Sequence, residues 1–192
     1  MKDEDLSQEK LLTLRQQIER LGSPDRDLRR EAFKALEGQG QVILDAAIEG
    51  LNHPNPKIRA DCADLMDHLA DDRCIEPLME AAQDPVPRVR RRAVHSLNCD
   101  RCKPSPLSAD LVPLLIDIVV NDDNAKVRHE AAYGLAVRSP DKRMLSALET
   151  VANKLTAKES LSKPERVLLR NVKIALKRNR QSMQKGREVC TR

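Results

Sequence analysis

"VNDDNAKVRHEAAYGL", Val120 to Leu135, opens with an apolar residue and six residues rich in Asp and Asn. Val127 and Arg128 follow, and Ala131 stands four residues after Val127. The same arrangement aligns without gaps at "LGSPDRDLRREAFKAL" from Leu21, "LNHPNPKIRADCADLM" from Leu51 and "AQDPVPRVRRRAVHSL" from Ala82. Its arginine falls at Arg29, Arg59, Arg90 and Arg128, giving spacings of 30, 31 and 38 residues. A period of this length marks a supersecondary unit that cannot bury its apolar face alone and must stack on copies of itself.

Each copy reads as helix A, tight turn, helix B. The helix B stripe runs i, i+4, i+8 through Leu28/Ala32/Leu36, Ile58/Cys62/Met66, Val89/Ala93/Leu97 and Val127/Ala131/Leu135, one face of a helix. Its middle residue is always small, which permits close approach of a neighbouring backbone. Pro24, Pro54 and Pro85 sit in the turns, and Pro77 and Pro113 in first turns of A helices, where a missing amide hydrogen costs little. A degenerate fifth pair follows, with Leu168, Val172, Ala175 and Leu176 on one side and a basic opposite face suited to a terminal cap. The expected fold class is all-α, a solenoid of about five helical hairpins. The expected domain spans 1–182, with repeats near 7–38, 41–72, 74–98, 109–138 and 142–182, a loop insertion at 99–108, and a basic tail at 183–192.

Composition agrees with this reading. One third of the 192 residues are charged, and there is one Phe, one Tyr and no Trp. Residues 163–192 carry ten Lys or Arg against Glu165 and Glu188, a local charge of +8, so the remainder sums to −4 and the chain's net +4 belongs to its C-terminal segment. "MKDEDLSQEK" opens acidic and polar, unlike a secretory or transit leader. "LVPLLIDIVV" is too short to span a bilayer. A cytoplasmic monomer with reduced thiols and no membrane association is expected.

The "DPVPRVRRRAVHSL" and "NAKVRHEAAYGL" segments resemble HEAT repeats, and the resemblance extends over nearly all of residues 7–180. The short periods are similar to the compact HEAT-like repeats of phycobilisome lyases. The resemblance implies a right-handed superhelix with B helices lining a concave side. It also implies that the repeated arginine pairs with turn acids of adjacent copies, here Asp25, Asp84 and Asp122 or Asp123, with Asn55 departing from the pattern.

One HEAT-like family, deoxyhypusine hydroxylase, builds a di-iron site from His-Glu pairs at this helix B position, and His129-Glu130 matches it. The other copies place Arg30-Glu31, Ala60-Asp61 and Arg91-Arg92 there, and arginines repel a cation, so no metal and no cofactor is expected. Cys99 and Cys102 form a CxxC without a second such pair. Incidental thiols are favoured over zinc or a reversible disulfide.

The function expected is a non-catalytic protein-binding scaffold or adaptor. The resemblance turns Arg30, Lys34, Asp64, Asp67, Arg91, His95, His129 and Tyr133 towards the concave side, with Tyr133 the best anchor. The alternative is a nucleic-acid-associated repeat protein using Lys173, Lys177, Arg178, Arg180 and Lys185, although no aromatic stands near for base stacking. An accessory enzyme of bilin-lyase type ranks third, on fold analogy alone.

Overall fold

The computed structural model describes residues 8–99, 103 and 105–190; Cys102 and the side chain of Lys185 lie outside the described set. Ten α-helices and no strand are present among the described residues. The chain divides into two compact units, 1–109 and 110–192.

The first unit holds three hairpins: α1 (Gln8–Arg20) with α2 (Arg26–Glu37), α3 (Leu44–Gly50) with α4 (Pro56–Leu69), and α5 (Ile75–Ala81) with α6 (Pro87–Asn98). The second holds α7 (Val112–Asn121) with α8 (Ala125–Val137), and α9 (Met144–Thr156) with α10 (Lys163–Cys190). Within each unit like packs on like: α1 on α3, α2 on α4 and α4 on α6 in the first, α7 on α9 and α8 on α10 in the second. That layering is an α-solenoid, in which each hairpin covers the apolar face of the next. No helix among the described residues is long and apolar enough to cross a membrane.

The turn chemistry repeats as strictly as the apolar stripe. Asp25, Asn55 and Asn124 cap their B helices by accepting from Asp27 N at 2.8 Å, Lys57 N at 3.0 Å and Lys126 N at 3.0 Å. Two residues upstream, a side chain accepts from the cap residue's own amide in all four copies: Ser23 Oγ, His53 Nδ1, Asp84 Oδ1 and Asp122 Oδ1 at 2.7–3.1 Å. In the third copy Val86 occupies the cap position and offers no side-chain acceptor, so Asp84 Oδ1 supplies the side-chain acceptor of that turn.

The repeated arginine serves the same turn. Its Nη1 donates to the carbonyl six residues back in every copy: Ser23 O, His53 O, Asp84 O and Asp122 O at 2.6–2.9 Å. Arg29, Arg59 and Arg90 also reach the proline carbonyl next to it. In addition, Arg59 forms a fork on Asp84 of the next turn at 2.7 and 3.1 Å. The expected pairing with an adjacent acid is thus present at Arg59, while the feature common to all copies is a guanidinium closing its own turn.

The B-helix stripe is buried in copies two to four. Leu28 departs, at 51% exposed, because α2 is the first B helix described and has α4 on one side only. The small middle residue has a visible purpose at Cys62: a Cβ on Gly50 would sit 2.4 Å from its Sγ, so α3 and α4 touch through the absence of a side chain. Two A helices are shorter than their sequences suggest. Each begins as a 3₁₀ turn, Gly40–Ile43 before α3 and Asp72–Cys74 before α5. Gly40 takes φ +62°, a left-handed conformation that glycine adopts without strain.

The fifth B helix runs to Cys190, well past Leu176. Ser162 and Glu165 form a reciprocal capping box at its start: Glu165 Oε2 accepts from Ser162 N at 2.9 Å and Ser162 Oγ accepts from Glu165 N at 3.4 Å. Leu168, Val172, Ala175 and Leu176 are buried as the periodicity predicts. Asn179 joins them, accepting from Asp141 N at 2.7 Å and donating to Ala175 O at 3.0 Å, which ties α10 to the turn before α9.

Candidate functional site

Two B-helix pairs, one in each unit, carry most of the side chains that the sequence singles out; Arg30 and Lys34 lie apart from them on α2. In the first unit, Asp61, Asp64 and Asp67 recur every three residues on α4, and Arg88, Arg92 and His95 face them from α6. The pairs close at 2.8 Å (Arg88–Asp61), 2.7 Å (Arg92–Asp64) and 3.5 Å (His95–Asp67). Beneath them Ser96 Oγ donates to the Ala63 carbonyl at 2.6 Å.

The three carboxyls feel different balances. Burial pushes Asp61 above the ordinary carboxylate range against the pull of Arg88 and Arg92, and it pushes Asp64 up against Arg92. Burial acts on Asp67 too, but His95, the Cys99 thiol and His68 outweigh it and hold that carboxyl below the usual range. Asp67 is only 7% exposed, and its Oδ1 has no hydrogen-bond partner among the described residues.

In the second unit the corresponding edge is open. His129, Glu130, Tyr133, Ala136 and Val137 of α8 face Arg170, Asn171, Ile174 and Arg178 of α10 across a shallow hollow of about 710 Å³. Tyr133, Val137 and Ile174 are 43%, 41% and 45% exposed, and they gather here three of the five large apolar side chains exposed among the described residues. At the floor lies Asn171, 5% exposed, whose Nδ2 is buried and donates to nothing described. Arg178 Nη1 donates to the Ala136 carbonyl at the rim. A second shallow depression continues along α10 between Arg166, Leu169, Arg170, Lys173, Ile174 and Lys177.

Of the eight residues expected to face a partner, Arg30, Lys34, Asp64, Asp67, Arg91 and His95 fall in the first unit, and His129 and Tyr133 in the second. Arg30 and Lys34 are exposed, and Arg30 lies 3.7 Å from Asp27. Arg91 is half-buried. Asp64 is engaged by Arg92, and Asp67 is turned inward to His95. His129 and Tyr133 meet in the hollow. Among the basic residues of the nucleic-acid alternative, Lys173 and Lys177 are exposed, Arg178 reaches the Ala136 carbonyl, and Arg180 pairs with Glu149 at 2.7 Å.

Sequence reasoning passed over Val137, Arg170, Asn171 and Ile174. The signal was an apolar residue, Ile174, on the basic side of α10, hidden because that helix read as a cap.

The thiols divide in the same way. Cys62 and Cys74 are buried; burial raises the Cys62 thiol far above its usual range and the Cys74 thiol to about 11, which makes them inert packing groups. Cys99, at the end of α6, converges instead with Asp67 and His95.

The HEAT-repeat profile matches residues 13–98 and again 44–136. A chain from the complex of CpcE and CpcF of phycocyanin lyase from Nostoc sp. PCC7120 superposes with a TM-score of 0.63 at 19% identity, over 84% of this chain and 98% of that one. A designed armadillo repeat protein gives a TM-score of 0.40 at 12% identity, over 86% of this chain and 99% of its own. At 19% identity the likeness to the lyase-complex chain concerns the fold alone. No curated protein matches the chain.

Proposed function

Because the chain belongs to the HEAT-repeat family, we propose that it is a non-catalytic protein-binding scaffold or adaptor whose partner anchors in the α8–α10 hollow. The observation that carries this reading is the grouping of Tyr133, Val137 and Ile174 around the orphaned Asn171 amide. Exposed apolar side chains on rigid helices gain by being covered, and tyrosine and arginine are favoured anchors. A buried donor without an acceptor is costly, so a carbonyl or carboxylate from a partner is stabilising there. Arg170 and Arg178 at the rim favour a partner segment with an apolar side chain beside an acidic one. The structural relative comes from a complex of two proteins, which is the same use of the fold.

The nucleic-acid reading has its own support in the exposed Lys173 and Lys177 beside Arg166 and Arg170. The lyase-type reading draws only on the fold of the relative. Capture from native lysate with and without nuclease separates them. A partner that survives nuclease, is lost with Ile174→Asp and is kept with Lys173→Glu/Lys177→Glu upholds the adaptor. Loss with nuclease and with the lysine pair, and retention in Ile174→Asp, upholds the alternative.

A further inference from the structure

The C-terminal ends of α4 and α6 hold a group of side chains that protein binding leaves unused. Asp67 lies on the last turn of α4, His95 on the last turn of α6, and Cys99 is the residue at which α6 stops. A carboxylate oxygen, an imidazole nitrogen and the Cys99 sulfur all lie within 4.8 Å of one another. We propose that Asp67, His95 and Cys99 form a binding site for one thiophilic divalent cation, zinc foremost, with a coordination position left for water or an external donor.

The donor set comes first. Oxygen, nitrogen and sulfur together are ligands that zinc accepts, and three protein ligands leave a tetrahedral ion one open position. A carboxylate and a thiolate also neutralise a dication, so its burial leaves no net charge.

The spacing fits as well. Metal–ligand bonds of about 2.0–2.3 Å place tetrahedral ligands about 3.3–3.8 Å apart. His95 Nε2 and Asp67 Oδ2 already stand at 3.5 Å. Small side-chain torsions bring the remaining pairs in from at most 4.8 Å.

A plain ion pair explains less. At 3.5 Å the His95–Asp67 contact is long for a hydrogen bond. It also leaves Asp67 Oδ1 buried with no hydrogen-bond partner among the described residues, in a side chain nine-tenths buried. A cation held by both oxygens of the Asp67 carboxylate gives Oδ1 the partner it lacks while keeping Oδ2 beside His95.

The ligands are held in place beforehand. Asp67 and His95 sit on helices that the Arg88–Asp61 and Arg92–Asp64 pairs lock together. Cys99 is fixed from both sides: its amide donates to the His95 carbonyl at 3.0 Å, and its carbonyl accepts from Lys103 Nζ at 3.0 Å. The site therefore ties the start of the 99–108 loop to the end of α4.

The test uses the full chain, reduced and stripped of metal, with cobalt(II) and zinc(II) as probes. One equivalent of cobalt should give a thiolate-to-cobalt charge-transfer band and the visible bands of a tetrahedral ion, and zinc should displace it. Cys99→Ser should abolish the charge-transfer band. Asp67→Asn and His95→Gln should each weaken zinc binding by more than about 100-fold, beyond the 10–100-fold typical of outer-sphere changes. Zinc should raise the melting temperature of the native chain but not of Cys99→Ser, with circular dichroism confirming that each variant folds. Absence of the band at stoichiometric cobalt overturns the proposal. So does a band that persists in Cys99→Ser and disappears when Cys102 is replaced instead.

Discussion

The α4–α6 and α8–α10 pairs are built from the same kind of element and end in opposite states. Asp64 and Tyr133 stand at matching places, six residues after Ile58 and Val127. On α4, Asp64 meets Arg92 of the neighbouring helix, and a ladder of three acid–base pairs closes the edge. On α8, Tyr133 meets Ile174 across a hollow, and an unsatisfied asparagine amide lies at its floor. The buried stripe is common to both, so stacking does not distinguish them. Side chains flanking the stripe decide whether a face satisfies itself or is left for something else to satisfy.

The largest effect expected is on binding. Tyr133→Asp copies Asp64 into the open pair, beside Arg170 and Arg178. Partner affinity should fall on the order of 100-fold, as for loss of a central aromatic anchor. The melting temperature should hardly move, because a side chain 43% exposed contributes little to the core. A titration of the captured partner, alongside a thermal melt, measures both.

Next comes stability of the closed pair. Arg92→Ala leaves Asp64 half-buried without its partner and should cost about 1–2 kcal/mol in urea denaturation, below the range for fully buried pairs because both side chains keep some water. Arg170→Ala on the open pair should cost under about 0.5 kcal/mol. Equal costs would show that the two faces are not energetically different.

The smallest effects are opposite slopes against pH. Burial raises the folded pKa of Asp64 above its unfolded value near 3.8. Whatever stability Asp64 lends is therefore complete below that value and is lost as pH rises through the folded pKa. Asp64→Asn should accordingly gain on the native chain between acid and neutral pH. Glu165, which caps α10, runs the other way: Lys158 and Ser162 hold its carboxyl at about 2. Its contribution is complete above the unfolded value near 4.5 and is lost as pH falls towards 2. Glu165→Gln should lose ground to the native chain over the same acid-to-neutral interval. Urea midpoints across a pH series give both signs.

Much of this was legible beforehand. The four aligned segments marked the hairpins, the turns and, apart from Leu28, the buried stripes, because each depends on residues within one turn or one helix. The arginine's place was legible while its main contact was not: carbonyls of its own turn leave no mark in side-chain composition. Leu28 misled because periodicity reports a face, and only neighbours report whether that face is covered.

The sequence by itself therefore determined the helical repeat, its turns and the small residues through which helices touch, all local in origin. Only the tertiary structure decided that Asp67 turns inward to His95 and Cys99, and that Ile174 and Asn171 join Tyr133. Those meetings bring together residues 28 to 41 positions apart. They depend on the register in which one helix lies against the next, and that register is set by the whole packed interface rather than by any single segment.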